Sequence, residues 1–507
     1  MNGAHQSSKS NRQIIVIGGG LGGLSASIRL AAAGYQVTVL EKEAQLGGKL
    51  QRVYEGAYVF DRGPSTITML NAFQQVFEQA GRRIEDYVAF VPLSPLARNR
   101  FADGHQVDLV SDTDRMQEQI AAYSAEDAAR YPAFQSKARD MLDISGKQFL
   151  HTLMLSWKDK LRPSLLRAFA SIHPLKTYQS LLGEHFSHPN TLAMLGRYAT
   201  YTGSSPFQTP AVFAMLPALE TDGGIYGVKG GTYAIVQAFT RLAQELGVVI
   251  HTRTEAHQIR IQNQQATGVE TSAGFFPADQ IICNGDLLTS YARLLAPEHR
   301  PSMPDRKLKT YEPSLSGFVI LAGLPRVYPQ LLHHNVFFPA DYPQEFVDLF
   351  ETRTPVQDPA IYVCRNETFQ DEPPDSPYGA QSRLFILVNA PALRSPSSIH
   401  WDSLRESYAG MILEKLAHYG LQGITDSEVR ITYTPEQLAQ DTYAHLGSIY
   451  GISSNGARQA FFRPANRSRD ISNIWFAGGT THPGGGTPIV TLSGQLVAER
   501  MIQLDKG

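Results

Sequence analysis

Three glycines near the start of the chain have the spacing that binds a phosphate group. Gly18, Gly20 and Gly23 form the pattern G-x-G-x-x-G. The first permits a tight turn, the second lets the backbone approach a pyrophosphate, and the third lets a helix pack on a strand. Glu41 follows at the distance where an acid holds a ribose hydroxyl pair. The pattern predicts a dinucleotide site, and its alternative is a glycine-rich turn without a ligand.

The flanking residues predict the elements that hold these glycines. Residues 14–17 form an apolar run typical of a buried parallel strand, and residues 25–33 are rich in alanine and leucine, which favours a helix. Gly34 ends that helix, and residues 37–40 predict the next strand. The helix N-terminus presents free N–H groups and the positive end of a dipole to the phosphates. This order of elements indicates a dinucleotide site more strongly than glycines alone.

A second glycine turn decides which dinucleotide is expected. Leu46-Gly47-Gly48-Lys49 comes soon after Glu41, and residues 58–65 follow. A nicotinamide site does not need this turn, whereas FAD lies extended across its domain and needs a second close approach of the backbone. An ordinary surface turn is the alternative. Further residues expected to contact FAD here are Gly22, Leu24, Lys42, Gly63, Pro64 and Ser65.

The C-terminal segment predicts a third contact with the cofactor. Residues 473–477 predict a strand that runs into a glycine-rich turn at Gly478 and Gly479. Residues 489–504 predict a helix that a threonine caps and whose first turn contains a proline. A helix N-terminus beside a flavin stabilises the anionic reduced ring by roughly 0.3–1 kcal/mol. The residues of this helix start expected at the flavin are Thr487 as the cap, Pro488, Ile489 and Val490.

Together these segments resemble the bacterial phytoene desaturase family, the carotenoid branch of the amine-oxidase-like flavoproteins. The resemblance covers nearly the whole chain, and its most specific part is residues 481–488. It implies FAD as the cofactor and an apolar polyene, a carotenoid, as the substrate. In one departure, Gly479-Thr480 stands where many flavoproteins place an acid that holds the ribityl chain. Other matching segments are Phe60-Asp61-Arg62-Gly63-Pro64, Lys229-Gly230-Gly231-Thr232, residues 278–286, Phe462-Arg463-Pro464 and residues 476–493.

Within this family the chain is most similar to enzymes that act on linear C30 carotenoids. Gly203-Ser204-Ser205, His333-His334-Asn335 and residues 490–495 resemble the diaponeurosporene terminal oxidases (oxygenases). Thr481-His482-Pro483 instead resembles the diapophytoene desaturases. The resemblance therefore favours oxidation of a terminal methyl group, with desaturation by hydride transfer to FAD as the alternative. A flavin amine oxidase and a flavin-free lipid-binding protein are further alternatives.

The resemblance also implies the fold and the division into domains. The expected architecture is α/β, with a Rossmann-like FAD/NAD(P)-binding domain of the amine-oxidase-like flavoprotein superfamily and a discontinuous mixed α+β substrate domain. Ala256 is expected near the adenine, and Asn284 and Gly285 form a further glycine turn at the cofactor. The expected ranges are residues 11–75, 226–285 and 446–507 for the FAD-binding domain, and residues 76–225 and 286–445 for the substrate domain.

Few side chains have the chemistry of a catalytic group. His482 lies in the turn expected to face the flavin, and Arg197 and Tyr201 lie in a segment expected to line an apolar pocket. His333 and His334 are further candidates for the wall of this pocket. A structural role is the alternative for each, because a cation delocalised along a polyene does not require a strong base. No metal is expected, because the histidines lack ligand spacing with partner acids or thiols.

The composition of the chain limits the classes of binding partner and the cellular compartment that we expect. The chain has 507 residues, a net charge of −2 and two cysteines, Cys283 and Cys364. The weak net charge gives no indication of nucleic acid binding, and so few cysteines favour a reducing compartment over a disulfide framework. Residues 1–12 lack the apolar core of a secretory signal, and no apolar run predicts a membrane-spanning helix. A cytoplasmic location is expected.

One segment suggests contact with a membrane surface. Residues 151–169 mix apolar and basic side chains around Trp157, which suits a membrane interface. A helix with one face in the core and a charged face in solvent is the alternative. Because so apolar a substrate must come from lipid, we expect peripheral association with the inner face of the cell membrane. A quinone or oxygen is the expected electron acceptor.

Overall fold

The computed structural model describes residues 12–146, 153, 155, 176–369, 381–394 and 399–506. The predicted membrane-facing segment, residues 151–169, lies outside the described residues except for Leu153 and Leu155, so it stays a prediction. Among the described residues, no helix is both long and apolar enough to cross a membrane.

Strands and helices alternate through most of the described chain. In chain order the strands are β1 Gln13–Ile17, β2 Gln36–Leu40, β3 Gln51–Glu55, β4 Tyr58–Arg62, β5 Phe90–Pro92, β6 Ala97–Arg100, β7 Gln106–Leu109, β8 Tyr226–Val228, β9 Val249–His251, β10 Ala256–Gln262, β11 Gln265–Thr271, β12 Gly274–Pro277, β13 Gln280–Cys283, β14 Ser316–Leu324, β15 His334–Phe337, β16 Ile361–Arg365, β17 Ser382–Ala390, β18 Val429–Tyr433 and β19 Ile474–Phe476. The α-helices are α1 Leu21–Ala32, α2 Leu70–Glu78, α3 Thr113–Ala121, α4 Ala125–Ser145, α5 Tyr178–His185, α6 Pro189–Gly196, α7 Met215–Gly223, α8 Tyr233–Glu245, α9 Leu287–Leu294, α10 Asp305–Leu308, α11 Tyr342–Val347, α12 Trp401–His418, α13 Pro435–Thr442, α14 Ala457–Phe461 and α15 Thr487–Leu504.

Five parallel strands form the sheet beneath the glycine turns, in the order β19-β13-β1-β2-β9. Its two faces are covered by different cores. Val16 and Ile282 pack into one core with α1 and α15, whereas Ile15 and Ile281 pack into another with α9. Successive side chains of a strand point to opposite faces, so an apolar run such as residues 14–17 satisfies both cores at once.

The expected α/β fold is confirmed, with one correction at a helix start. α1 begins at Leu21 rather than at residue 25, and the N–H of Leu24 donates to the Gly20 carbonyl oxygen at 2.9 Å. Gly22 and Gly23 therefore lie inside the first turn of the helix. Their low helix propensity is outweighed by packing, because a Cβ on Gly23 would lie 2.3 Å from the Gly18 carbonyl oxygen.

A seven-stranded sheet forms a second layer, in the order β18-β14-β17-β16-β15-β6-β7. β15 runs parallel to β6, and the other neighbouring strands are antiparallel. In β17, Leu384 and Ile386 face a core that contains α12, whereas Phe385 and Leu387 face a cavity. The period of two along this strand thus separates structural residues from residues that can reach a ligand.

The predicted division into domains stays a prediction. The parallel sheet takes its strands from the three segments assigned to the FAD-binding domain, and the seven-stranded sheet takes its strands from the other two. Packing around the parallel sheet continues past residue 285, since Leu287, Leu288 and Tyr291 belong to its core.

Candidate active site

The first glycine turn leaves space on one side only. Gly18, with a φ of +101°, follows β1, and the turn then passes into α1. Gly23 packs against this turn, as described above. Gly20 instead borders a cavity, and among the described residues beyond its chain neighbours the one heavy atom within 4 Å of a Cβ there would be Asn284 Nδ2, at 2.9 Å. Gly20 therefore offers the close backbone approach that a pyrophosphate needs.

Glu41 directly follows β2, and its carboxylate is held against the first glycine turn. Its carboxylate accepts hydrogen bonds from the backbone N–H groups of Gly19 at 2.7 Å and Glu43 at 2.9 Å. Burial raises the pKa of this carboxyl, although the two N–H groups oppose the shift. Glu41 and the adjacent Lys42 both line the cavity. The position suits the predicted ribose contact, which stays a prediction.

The second glycine turn lies against the first. The N–H of Gly47 donates to the carbonyl oxygen of Gly19 at 2.9 Å. Lys49 extends from this turn, and its Nζ donates to the carbonyl oxygens of Ser448 at 2.8 Å and Ile449 at 2.6 Å. Burial lowers the pKa of Lys49 to about 8. The two turns therefore form one continuous wall that is mostly backbone.

These segments enclose a first cavity of about 380 Å³. The residues predicted to bind the cofactor that line it are Gly18, Gly20, Gly22, Glu41, Lys42, Gly47, Gly48, Lys49, Gly63, Pro64, Ala256, Asn284, Gly285, Gly478, Gly479 and Thr487. Gly23 and Leu24 lie behind this wall, where Leu24 is fully buried in the core. Ser65, Pro488 and Ile489 line a second cavity instead.

The C-terminal helix begins at the first cavity, one residue earlier than a threonine cap requires. Gly486 occupies the cap position with a φ of +110°, and Thr487 is already helical. The predicted Thr487 cap is therefore wrong, because the left-handed backbone at this turn favours glycine as the cap. The N–H of Val490, which lies in the helix start expected at the flavin, donates to the Gly486 carbonyl oxygen at 2.9 Å.

The second cavity, of about 300 Å³, adjoins the first. The residues that border both cavities are Gly63, Pro64, Phe385, Leu387, Ile449, Tyr450, Gly485, Gly486 and Thr487. Most of its wall is apolar, with contributions from Val212, Phe213, Leu216, Leu315, Val336 and Phe461. Among the described residues, the wall includes two arginines, Arg197 and Arg463, and no acidic side chain. The predicted candidates His482, Arg197 and Tyr201 all line this cavity.

Arg197 and Tyr201 lie on the 3₁₀ helix Arg197–Thr202. Arg197 Nη1 donates to the Tyr201 hydroxyl at 3.1 Å. The intervening Tyr198 hydroxyl donates to Glu220 Oε2 at 2.6 Å, and burial raises the pKa of that carboxyl. Arg197 is therefore the charged group that this segment brings to the cavity wall.

The paired histidines lie behind the cavity wall. His334 Nδ1 is 2.7 Å from the hydroxyl of Tyr362, which lines the cavity. His333 Nε2 is 3.7 Å from Cys364 Sγ. His333, His334 and Cys364 each offer one possible metal-ligand atom, and these three atoms lie within 4.8 Å of one another. Burial lowers the pKa of His333 to about 4. The spacing of the sequence gave no sign of this cluster, because strand pairing places His334 opposite Cys364.

The chain matches the family of flavin-containing amine oxidoreductases over residues 21–502. It belongs to this family. A 4,4'-diapolycopene oxygenase of Methylomonas sp is 33% identical over 98% of this chain and 99% of its own length. A zeta-carotene-forming phytoene desaturase of Myxococcus xanthus is 32% identical over 98% and 95%. A 4,4'-diaponeurosporene oxygenase of Staphylococcus aureus is 32% identical over 97% and 98%. The predicted resemblance to the phytoene desaturase family is confirmed.

Solved structures of flavin oxidases share the fold. A putrescine oxidase bound to putrescine superposes with a TM-score of 0.65 at 14% identity, over 97% of this chain and 99% of that chain. Cyclohexylamine oxidase from Brevibacterium oxydans superposes with a TM-score of 0.60 at 14% identity, over 98% and 100%. The amine-oxidase-like architecture predicted from the sequence is therefore confirmed.

Family membership makes this protein an FAD-dependent oxidoreductase, as predicted. The first cavity fits FAD by its own geometry. Gly20 leaves a gap that a larger side chain would fill, Glu41 holds a carboxylate at the wall, and Lys49 carries a cationic group to the same wall. The second cavity adjoins this site at residues 485–487.

Proposed function

We propose that this protein oxidises the terminal methyl group of a linear carotenoid, of the C30 diaponeurosporene type. The observation that carries the proposal is the apolar second cavity, which opens onto the first at Gly485, Gly486 and Thr487. A polyene held there would place its chain end beside the cofactor. The full-length similarity to proteins named diapolycopene oxygenase and diaponeurosporene oxygenase supports the same reaction.

The residues of the second cavity would bind and orient the substrate. Phe385, Leu387 and Val336 offer an apolar surface that removes a polyene from water and holds it in one orientation. FAD, when bound, supplies the two-electron acceptor. His482 shapes the junction, since its carbonyl oxygen accepts hydrogen bonds from Asn466 Nδ2 at 2.8 Å and Ser493 Oγ at 3.0 Å. The carbon that stops at this junction would be the carbon oxidised.

Desaturation of the same chain is the second candidate. The relative named zeta-carotene-forming phytoene desaturase and the Thr481-His482-Pro483 segment favour it. Both reactions need an apolar cavity with FAD at its end, and they differ in which carbon reaches the cofactor and whether an oxygen source can follow. A few side chains at the cavity end would decide between them.

A polar amine is a poorer match for this cavity. An ammonium group needs a carboxylate or an acceptor-rich wall when it leaves water. The described residues of the second cavity include Arg197 and Arg463 and no acidic side chain. Two guanidinium groups in the same wall would repel a cationic substrate, which favours a neutral apolar chain.

Delivery of the substrate and reoxidation of FAD extend this proposal. A carotenoid dissolves in lipid, so we propose that the protein collects it at the inner face of the cell membrane through peripheral contact. The basic residues of the segment around Trp157, which include Lys158 and Lys160, would each contribute about 1 kcal/mol at an anionic surface. A membrane quinone or oxygen would then accept the electrons from FAD.

Flotation with anionic and neutral vesicles tests the membrane contact. Full-length protein should float with anionic vesicles, and neutralising Lys158, Lys160, Arg162 and Arg167 should weaken this binding. Matched neutralisation of four exposed basic residues elsewhere, Arg83, Arg306, Lys309 and Lys506, should not. Equal binding by both variants would remove this segment from the proposal.

Product analysis tests the reaction itself. The FAD-loaded protein is incubated with diaponeurosporene or diapophytoene in lipid vesicles. The products are then separated and identified by mass spectrometry. Terminal oxidation should give aldehyde or acid products of diaponeurosporene that carry added oxygen, and labelled oxygen gas or labelled water identifies the source. Consumption of diapophytoene to hydrogen-poor hydrocarbons alone would select desaturation instead.

A further inference from the structure

Arg197 is a buried cation in an apolar wall, and its guanidinium lies over the rings of Tyr198 and Tyr201, 5.4 and 5.1 Å from their centroids. Its side chain belongs to a residue only 7% exposed, and it lines the second cavity. Nη1 donates to the Tyr201 hydroxyl at 3.1 Å, and within the described part of the chain Nε has no hydrogen-bond partner. A guanidinium carries several N–H donors and stays protonated. Burying such a group without acceptors is costly, so its surroundings indicate a missing acceptor.

A second arginine in the same wall shows what a structural role looks like. Arg463 Nη1 donates to the Gly479 carbonyl oxygen at 3.0 Å. Its Nη2 donates to the Ile452 carbonyl oxygen at 3.3 Å and to Ser454 Oγ at 3.1 Å. Arg463 thus ties together the chain segments that form the cavity, whereas the guanidinium of Arg197 contacts Tyr198 and Tyr201 of its own 3₁₀ helix.

The nearby acid does not supply the missing acceptor. Glu220 acts on Arg197 electrostatically, but its Oε2 accepts the hydrogen bond of the Tyr198 hydroxyl at 2.6 Å. Burial raises the pKa of Glu220, although Arg197 and the hydroxyls of Tyr198 and Tyr201 oppose the shift. Burial also raises the pKa of Tyr201, so this residue keeps its hydroxyl proton. The wall beside the cavity therefore carries the positive charge of Arg197, whose Nε has no hydrogen-bond partner among the described residues.

We propose that Arg197 and Tyr201 bind the oxygen of a carbonyl or carboxylate at the end of a polyene chain. This assignment rests on the proposed function and names its substrate class further: a carotenoid already oxidised at one end, in addition to the hydrocarbon. The apolar wall would hold the polyene, and the guanidinium would hold the oxygen. Hydrocarbon chains offer no acceptor, so the pair discriminates by the state of the chain end.

The proposal predicts both a preference and a spectral signature. A hydrogen bond to a charged group favours the oxygenated ligand by about tenfold or more over the matching hydrocarbon. A positive charge at the carbonyl oxygen also draws electrons along the conjugated chain and shifts its absorption to longer wavelength. A merely structural arginine would produce neither effect.

Binding to the FAD-loaded protein tests both expectations. A C30 carotenoid monoaldehyde and diaponeurosporene are titrated separately from detergent micelles, and affinity, absorption maximum and flavin content are recorded. Wild-type protein should bind the aldehyde about tenfold more tightly and shift its absorption to the red. In Arg197→Met the ratio of the two affinities should fall about tenfold and the red shift should disappear. Arg83→Met, at an exposed arginine, is the matched control and should keep the wild-type ratio.

Two further variants keep the test decisive. Arg197→Lys retains a positive charge with fewer donors, so part of the red shift should return. Tyr201→Phe leaves the guanidinium in place but removes its hydroxyl partner, and the affinity ratio should fall by a smaller factor. If Arg197→Met fails to fold, these two variants still decide the outcome, because a wild-type ratio and spectrum in both would overturn the proposal.

The remaining outcomes separate this proposal from the proposed function. If neither carotenoid binds the wild-type protein, the proposed function fails. If both bind with equal affinity and no red shift, the proposed function stands and the role of Arg197 and Tyr201 is overturned. Loss of flavin from Arg197→Met would assign the guanidinium to the cofactor and also overturn it. A saturated fatty acid that displaces the aldehyde at equal affinity would overturn the assignment to a polyene.

Discussion

The two cavities of this protein meet but are built from different materials. Several glycine turns line the first cavity, whereas side chains from β15 and β16 and from the helical segments near residue 212 line only the second. A side chain added at Gly20 enters the first cavity, while exchange of Val336 changes only the shape of the second. Under the proposed function, this difference means that backbone geometry holds the cofactor and that replaceable side chains select the substrate.

Gly20→Val should produce the largest effect, the loss of bound flavin. A Cβ at this position would lie 2.9 Å from Asn284 Nδ2, and the two methyl groups would occupy the space of the pyrophosphate. The purified variant should be colourless by visible absorption. Gly410→Val is the matched control, because, outside its own helix, no heavy atom of the described residues lies within 4 Å of a Cβ there. Full flavin content in Gly20→Val would place the phosphates elsewhere.

Replacing each buried arginine of the second cavity with methionine should lower stability by different amounts. Arg463→Met should lower the free energy of unfolding by about 3 kcal/mol, because it leaves the acceptors at Gly479, Ile452 and Ser454 without their donor. Arg197→Met should lower it by only about 1 kcal/mol, because it removes one hydrogen bond to the Tyr201 hydroxyl and the contacts with the rings of Tyr198 and Tyr201, but no bond to a backbone acceptor. Urea unfolding of both variants measures the difference. Equal losses would mean that Arg197 also holds the fold.

Lys49, the lysine of the first cavity, should make the free energy of unfolding depend on pH. The pKa of Lys49 is about 8 in the folded protein against 10.5 for the ordinary group, so the unfolded chain binds more protons between these values. Its contribution to stability therefore rises with pH, by about 2 kcal/mol between about pH 7 and about pH 9.5. Lys49→Met should remove this rise in the cofactor-free protein.

The control for this measurement is a lysine in solvent. Lys309 is exposed, so Lys309→Met should follow the wild-type curve of unfolding free energy against pH. Ionisation of the buried tyrosines lowers the unfolding free energy at high pH in all three proteins. The difference between the wild-type and Lys49→Met curves therefore reports the contribution of Lys49. Parallel curves for wild-type protein and Lys49→Met would show that the amine stays hydrated.

The two cavities also differ in how far the sequence predicts them. The first turn could be located because Gly18, Gly20, Gly23 and Glu41 act within one strand–helix–strand unit, where spacing alone determines geometry. The errors in predicting the first cavity are local. The start of α1 and the Thr487 cap both depend on a backbone conformation, such as the left-handed Gly486, that residue types do not specify.

The second cavity depends on contacts between distant segments. Arg197 and Tyr201 were expected in a pocket wall, but Arg463 and Phe385 reach the same wall from remote parts of the chain. Only the alternation along β17 separates its cavity-facing residues from its core residues, and the register of a strand is a property of the folded sheet. The pairing of His334 with Cys364 was missed for the same reason.

Glu41→Gln should give the smallest effect, and it tests whether charge or geometry dominates in the first cavity. The carboxylate now accepts N–H groups from Gly19 and Glu43, and glutamine can accept one but turns its own NH₂ group toward the other. The ribose hydroxyls predicted to bind here would also meet an amide in place of a carboxylate, and the loss of this charge corresponds to about 1 kcal/mol, or about fivefold in FAD affinity. Fluorescence titration of cofactor-free protein with FAD measures it, with Glu85→Gln at an exposed site as the control. A loss as complete as that of Gly20→Val would mean that the glutamate, rather than the backbone turn, determines whether FAD binds.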